Sequence, residues 1–104
     1  MKEIDIQKEI VSALYASYPD CLVIRVPNEA AKRRFHTSTG LLKGASDLIL
    51  LLPGRIAFLE VKQPSAKKNL SDDQIAFRDK VLELGFEHYV VWSPEQALES
   101  IKTK

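Results

Sequence analysis

At 104 residues, with 45% hydrophobic and 28% charged residues, the chain has the size and composition of one globular domain with a modest core. Its single cysteine, Cys21, excludes an internal disulfide framework and fits a reducing, cytoplasmic setting. A net charge of +1 does not by itself announce a nucleic-acid partner, and the charged N-terminus MKEIDIQKEI offers no signal peptide or membrane span.

Residues 3–17 have the spacing of an amphipathic helix, with Ile6, Ile10, Ala13, Leu14 and Ser17 near one face. Glu3 and Gln7 fall on that same face, whereas Glu9 points well off it. A glutamate at the inward edge of a packing helix can lend a carboxylate to a site. It can equally favour the helix dipole from the first turn, and both readings stand. Pro19-Asp20 ends the helix. Cys21–Val26 is then a β-rich run closed by Pro27, with Cys21 as a buried structural thiol.

Residues 27–46, PNEAAKRRFHTSTGLLKGAS, lack clear periodicity. A loop of about 20 residues is unusual in so small a domain, and such loops are functional or disordered. Between Arg25 and Lys43 the basic residues Arg25, Lys32, Arg33, Arg34 and Lys43 face only Glu29, a local charge of +4. Phe35 and His36 within this run can stack on or contact nucleic acid, or simply pack and be solvated.

The stretch Asp47–Lys62, DLILLLPGRIAFLEVK, reads as two strands joined at Pro53-Gly54. The first is almost unbroken apolar, as for a strand buried on both faces. Antiparallel pairing with Leu52 facing Arg55 sets Asp47 opposite Glu60, and opposed residues share a face. Lys62, two residues on, shares it too. Carboxylates held this close repel unless neutralised, and a hard divalent cation such as Mg²⁺ takes carboxylate oxygens. The adjacent ammonium would orient or deprotonate a water, which suggests metal-assisted hydrolysis of a phosphodiester. Asp47 as a mere strand start, with Glu60 and Lys62 at a solvated strand end, is the plain alternative. A bulge at the turn would undo the pairing, because Pro-Gly suits a type II turn rather than the primed hairpin types.

Gln63–Asn69 is polar and basic through Lys67 and Lys68, suited to following a phosphate backbone. Ser71 opens a helix running to Leu84, with Gly85 after its end. Ser71-Asp72-Asp73-Gln74 is a capping box. Gln74 also projects near the middle of the face formed by Ile75, Phe77, Val81, Leu82 and Leu84, so capping and a polar site both account for it. Glu87–Trp92 is a further strand, with His88 a sheet residue. Ser93-Pro94-Glu95-Gln96 caps a final helix packed down by Ala97, Leu98 and Ile101. No histidine or cysteine stands at a zinc-ligand spacing, and there is no Gly-rich phosphate loop.

The order helix, strand, loop, two strands, helix, strand, helix, with Asp…Glu-x-Lys, resembles the PD-(D/E)XK nuclease superfamily. The finer pattern resembles its VRR-NUC branch, especially the small stand-alone phage and bacterial members. The matching pieces are EIDIQKEIVSAL, RVPN, GASDLILLLPGRIAFLEVK, LSDDQ and VVWSPEQAL, which cover nearly the whole chain in order. The resemblance implies one domain over residues 1–104, an α/β restriction-endonuclease-like αβββαβ core with a mixed four-stranded sheet flanked by helices.

By the same resemblance Asp47 and Glu60 bind the catalytic Mg²⁺ or Mn²⁺, and the backbone carbonyl of Val61 adds a ligand. Lys62 positions or activates the attacking water. Gln74 matches the family's helix glutamine and Glu3 its N-terminal acidic position, with Glu9 a weaker occupant of that role. Ser46 stands where members often carry proline. The expected DNA contacts are Arg25, Asn28, Lys32, Arg33, Arg34, Lys43, Lys67 and Lys68. What the resemblance implies is a homodimeric endonuclease on branched DNA, including four-way junctions, in bacterial or phage-infected cytoplasm. The alternatives are a DNA-binding or assembly module that does no chemistry, and a nuclease subunit that needs a partner.

Overall fold

The computed structural model describes residues 2–26, 44–65 and 69–102. Among them are three helices, α1 (Glu3–Ser17), α2 (Asp72–Glu83) and α3 (Pro94–Lys102), and four strands, β1 (Leu22–Arg25), β2 (Leu48–Leu52), β3 (Arg55–Val61) and β4 (Glu87–Val91). The strands form one sheet in the order β1-β2-β3-β4. The first three are antiparallel neighbours, and β4 runs parallel to β3. A parallel pair needs a crossover, and α2 supplies it. This is the mixed α/β architecture expected from the sequence.

Strand alternation sorts the sheet into two faces. Leu48, Leu50, Ala57, Leu59, Val61 and Val91 point to one of them and are completely buried. Ile6, Ile10 and Leu14, spaced four apart so that they stack along α1, meet them there together with Ala97 and Ile101 of α3. On the opposite face Phe77 of α2 packs edge-on to Phe58, with ring centroids 5.6 Å apart, and next to His88. Only part of that face is covered. Ile49 and Leu51 are half-buried, and Leu22 and Ile24 on β1 are exposed, so β2 is not the doubly buried strand its apolar run suggested. The helical face expected for α2 is narrower as well. Val81 is buried, but Leu82 and Leu84 are exposed, because the side of α2 turned to the sheet carries Gln74, Phe77 and Val81.

The β2–β3 turn keeps the expected register, pairing Leu52 with Arg55 and Leu48 with Leu59. Gly54 takes φ +71°, the positive value that the third residue of a type II turn needs. At this same end of β3 the parallel register with β4 is held by an ion pair that sequence patterning did not reveal. Arg55 donates Nε and Nη2 to the two Glu87 oxygens at 2.9 and 2.7 Å, and Nη2 also donates to the Ile101 carbonyl at 3.0 Å. Tyr89 donates its hydroxyl to the same Glu87 carboxylate at 2.7 Å. A forked, charge-assisted pair of this kind fixes geometry as well as adding energy. It ties the start of β3 and of β4 to the C-terminal end of α3.

The open edge of the sheet is guarded. Tyr15 of α1 places its hydroxyl over β1, accepting from Val23 N–H at 2.9 Å and donating to the Val23 carbonyl at 3.5 Å. One side chain thereby occupies both main-chain groups of an edge residue that would otherwise pair with another strand. Cys21 is buried, as expected, and burial raises its thiol pKa, so it is a packing residue and not a nucleophile.

His88 gives the fold a pH dependence. Burial, and secondly the nearby Arg78 charge, lower its pKa from 6.5 to about 4. The unfolded chain therefore takes up a proton below its ordinary pKa while the folded one does not. Stability from this group is complete above pH 6.5, falls as pH drops toward about 4, and levels off below. Because His88 is only partly buried, the loss is about 1 kcal/mol rather than the full value of the shift. Urea unfolding at pH 7 and pH 4.5 should show a larger drop for the wild type than for His88→Phe; equal drops would contradict this assignment.

Candidate active site

Where β2 begins, the ladder departs from simple pairing in a way that builds a site. Asp47 N–H donates to the Leu59 carbonyl at 3.1 Å, and the Asp47 carbonyl accepts from Val26 N–H at 2.9 Å. The Asp47 side chain takes over where main-chain pairing stops: Oδ2 accepts from Val61 N–H at 2.8 Å. Val61 N–H faces the β2 side, and without that carboxylate it would be a buried donor with no strand opposite. The same bond anchors Asp47 beside the end of β3, next to Glu60. Both acids are buried, at 7% and 4% exposure, in a domain whose other buried polar residues are Gln7 and Ser46 among the described residues.

Glu60 and Lys62 sit on the α2 side of β3, where Gln74 reaches them. Gln74 Nε2 donates to Glu60 Oε2 at 3.1 Å, and Gln74 Oε1 accepts from Lys62 Nζ at 3.3 Å. The same Oε1 accepts from Ser71 N–H at 2.9 Å, while Ser71 Oγ accepts from Gln74 N–H at 3.2 Å, completing the capping box. The two readings of Gln74 are thus one arrangement. The cap demands an acceptor facing Ser71, so the amide nitrogen must face Glu60. Oε1, the second oxygen of Glu60, is buried and accepts no hydrogen bond.

These residues line one pocket of about 670 Å³ with Glu3, Ile4, Gln7, Arg25, Val26, Asn69 and Ser71. Of the residues singled out in the sequence, the structure therefore brings together Asp47, Glu60, Lys62, Gln74, Glu3 and Arg25, with Val61 directly beneath them. Glu9 is exposed and stands away from the pocket. Asn28, Lys32, Arg33, Arg34, Phe35, His36, Lys43, Lys67 and Lys68 lie outside the described residues. Patterning missed a role for Gln7, although its place on the apolar stripe of α1 was visible. It also missed Gly44, whose φ of +85° and contact with the Asp73 main chain seat the start of α2 against the segment leading to Asp47.

The donor chemistry is that of a hard cation. Among the described residues no histidine or cysteine lines the pocket, and no three His, Cys, Asp or Glu side chains group to share an ion. Glu3 is on the pocket wall without completing such a trio. The carboxylates of Asp47 and Glu60 remain, which matches the habit of Mg²⁺ of using one or two carboxylates with other oxygens from water and phosphate. The N-terminal ends of α1 and α2 both reach the pocket, and their partial positive charge favours an anion there.

No family model and no curated protein matches the chain. Solved structures do. One named "VRR_NUC domain" is 26% identical, with a TM-score of 0.68 over 96% of this chain and 94% of the other. The chain folds as a VRR-NUC domain. A second structure, named "VRR_NUC domain protein", superposes with a TM-score of 0.71 over 99% of this chain and 87% of its own, at 14% identity. The VRR-NUC fold is that of a nuclease family, and among the described residues no helix is long and apolar enough to cross a membrane.

Proposed function

We propose that this VRR-NUC domain is a metal-dependent DNA endonuclease that hydrolyses phosphodiester bonds in branched DNA. The observation that carries the reading is the convergence of Asp47, Glu60, Lys62 and Gln74 on one pocket wall, at the open end of β3. Asp47, Glu60 and the Val61 carbonyl would hold Mg²⁺ or Mn²⁺. When bound, such an ion polarises a phosphate oxygen and lowers the pKa of water.

The chain's own groups do the remaining work. Gln74 fixes Lys62, so the ammonium is presented beside the carboxylates instead of sweeping through solvent. There it orients the attacking water and offsets charge building on the phosphate. The two helix ends and Arg25 attract the phosphate backbone, while the buried acids by themselves would repel it. A homodimer would supply the two symmetric cuts that a four-way junction needs, since the described residues of one chain form one such pocket. A role in replication or repair in bacterial or phage-infected cytoplasm follows from that substrate.

The test is cleavage of labelled linear, flap and four-way-junction DNA in Mg²⁺, Mn²⁺ or EDTA, with Lys62→Ala run alongside. Cutting should require the ion, be greatest on branched DNA, and fall by about a hundred-fold or more in the variant. Tight binding without cutting under every condition would favour the non-catalytic module or the partner-dependent subunit.

A further inference from the structure

Gln7 is the one polar residue on the buried stripe of α1. It is 8% exposed and sits beside Ile6 and Ile10, each at most 1% exposed. An apolar residue would serve packing better at this position, because burying an amide without a hydrogen bond costs about 1–3 kcal/mol. Among the described residues its carboxamide has no hydrogen-bond partner, and neither amide atom is sealed off from solvent. The little surface it keeps opens onto the pocket it lines with Glu60 and Lys62.

The surroundings say what such an amide meets. Lys2, the residue capping α1, makes no side-chain capping bond, so the positive end of that helix is open where Glu3 and Ile4 line the same pocket. Arg25 and Lys62 stand on other walls. Glu3, one turn before Gln7, adds a negative charge to this wall. A neutral donor can serve an anion there without forming an ion pair with that carboxylate.

We propose that Gln7 is a DNA-contacting residue whose carboxamide N–H donates to a phosphate oxygen of the strand held in the pocket. This rests on the nuclease reading and adds to it a contact made by α1. A phosphate oxygen accepts what the amide nitrogen offers, and the contact satisfies a group that the fold leaves unbonded. Gln7 acts in binding, independently of the ion held by Asp47 and Glu60.

The experiment measures binding of a fluorescein-labelled four-way junction by anisotropy in Ca²⁺, and of Mn²⁺ alone by calorimetry, for wild type, Gln7→Leu and Gln7→Glu. Gln7→Leu should melt no lower than wild type, keep its Mn²⁺ affinity and bind the junction about ten-fold more weakly. Gln7→Glu, which preserves shape but replaces the donor with a charge, should bind more weakly still. It decides the matter if the leucine variant fails to fold. Wild-type junction affinity in both variants, or loss of Mn²⁺ affinity in step with DNA affinity, would overturn the proposal. If the wild type itself fails to bind the junction, the nuclease reading falls and this contact with it.

Discussion

Asp47→Asn and Glu60→Gln should each lower metal-dependent DNA cutting by at least about a hundred-fold while leaving the protein folded. Both substitutions keep an oxygen where the structure uses one. The amide oxygen introduced by Asp47→Asn can still accept from Val61 N–H, the bond that anchors this position at the open end of β3. The one introduced by Glu60→Gln can still accept from Gln74 Nε2. What each removes is a negative charge from a pocket whose expected counter-ion is divalent. Melting temperatures close to or above wild type should accompany the loss, because a buried like-charge pair is a burden on the fold in the absence of the cation. Full activity in either variant, measured on the best DNA substrate in Mn²⁺, would mean that these acids are not the metal-holding pair.

Gly44→Ala should be among the most destabilising single substitutions outside the core, at about 2–4 kcal/mol. Two costs combine. The residue sits at φ +85°, where a side chain is strained, and an added Cβ would overlap the Asp73 carbonyl carbon and oxygen. Because the obstacle is main chain at the start of α2, it cannot rotate away. The first turn of α2 must shift, and Gln74, the next residue along, shifts with it. Cutting should therefore fall together with stability. Gly54→Ala is the control: φ is +71° but nothing lies within 4 Å, so only the conformational cost remains, about 1 kcal/mol. Urea midpoints that are equal for the two variants would show that the Gly44–Asp73 approach does not matter.

The hairpin and its consequences were legible because strand periodicity is strict. Once Leu52 faces Arg55, the approach of Asp47 to Glu60 follows within a residue, and that is all a shared pocket needs. Patterning could not foresee that Asp47 leaves the ladder and spends its carboxylate on Val61 N–H, since side-chain replacement of a main-chain bond has no periodic signature. The double duty of Gln74 was half visible. The capping box is local in sequence, whereas the bonds to Glu60 and Lys62 depend on how α2 is laid across the sheet. Leu82 and Leu84 were misjudged for a related reason. A helical projection assumes the whole apolar stripe is covered, and here Phe77 and Val81 are turned to the sheet while Leu82 and Leu84 stay exposed. The Arg55–Glu87 pair and the Gly44 approach join residues distant in sequence, and no local pattern marks either of them.

The central claim is that Asp47 and Glu60 together form a divalent-cation site. Titrating Mn²⁺ into wild type, Asp47→Asn and Glu60→Gln by calorimetry tests it most directly. The account predicts binding by the wild type that is lost or sharply weakened in both variants, with circular dichroism unchanged. Equal Mn²⁺ binding by all three proteins would contradict it, as would DNA cutting that persists in EDTA.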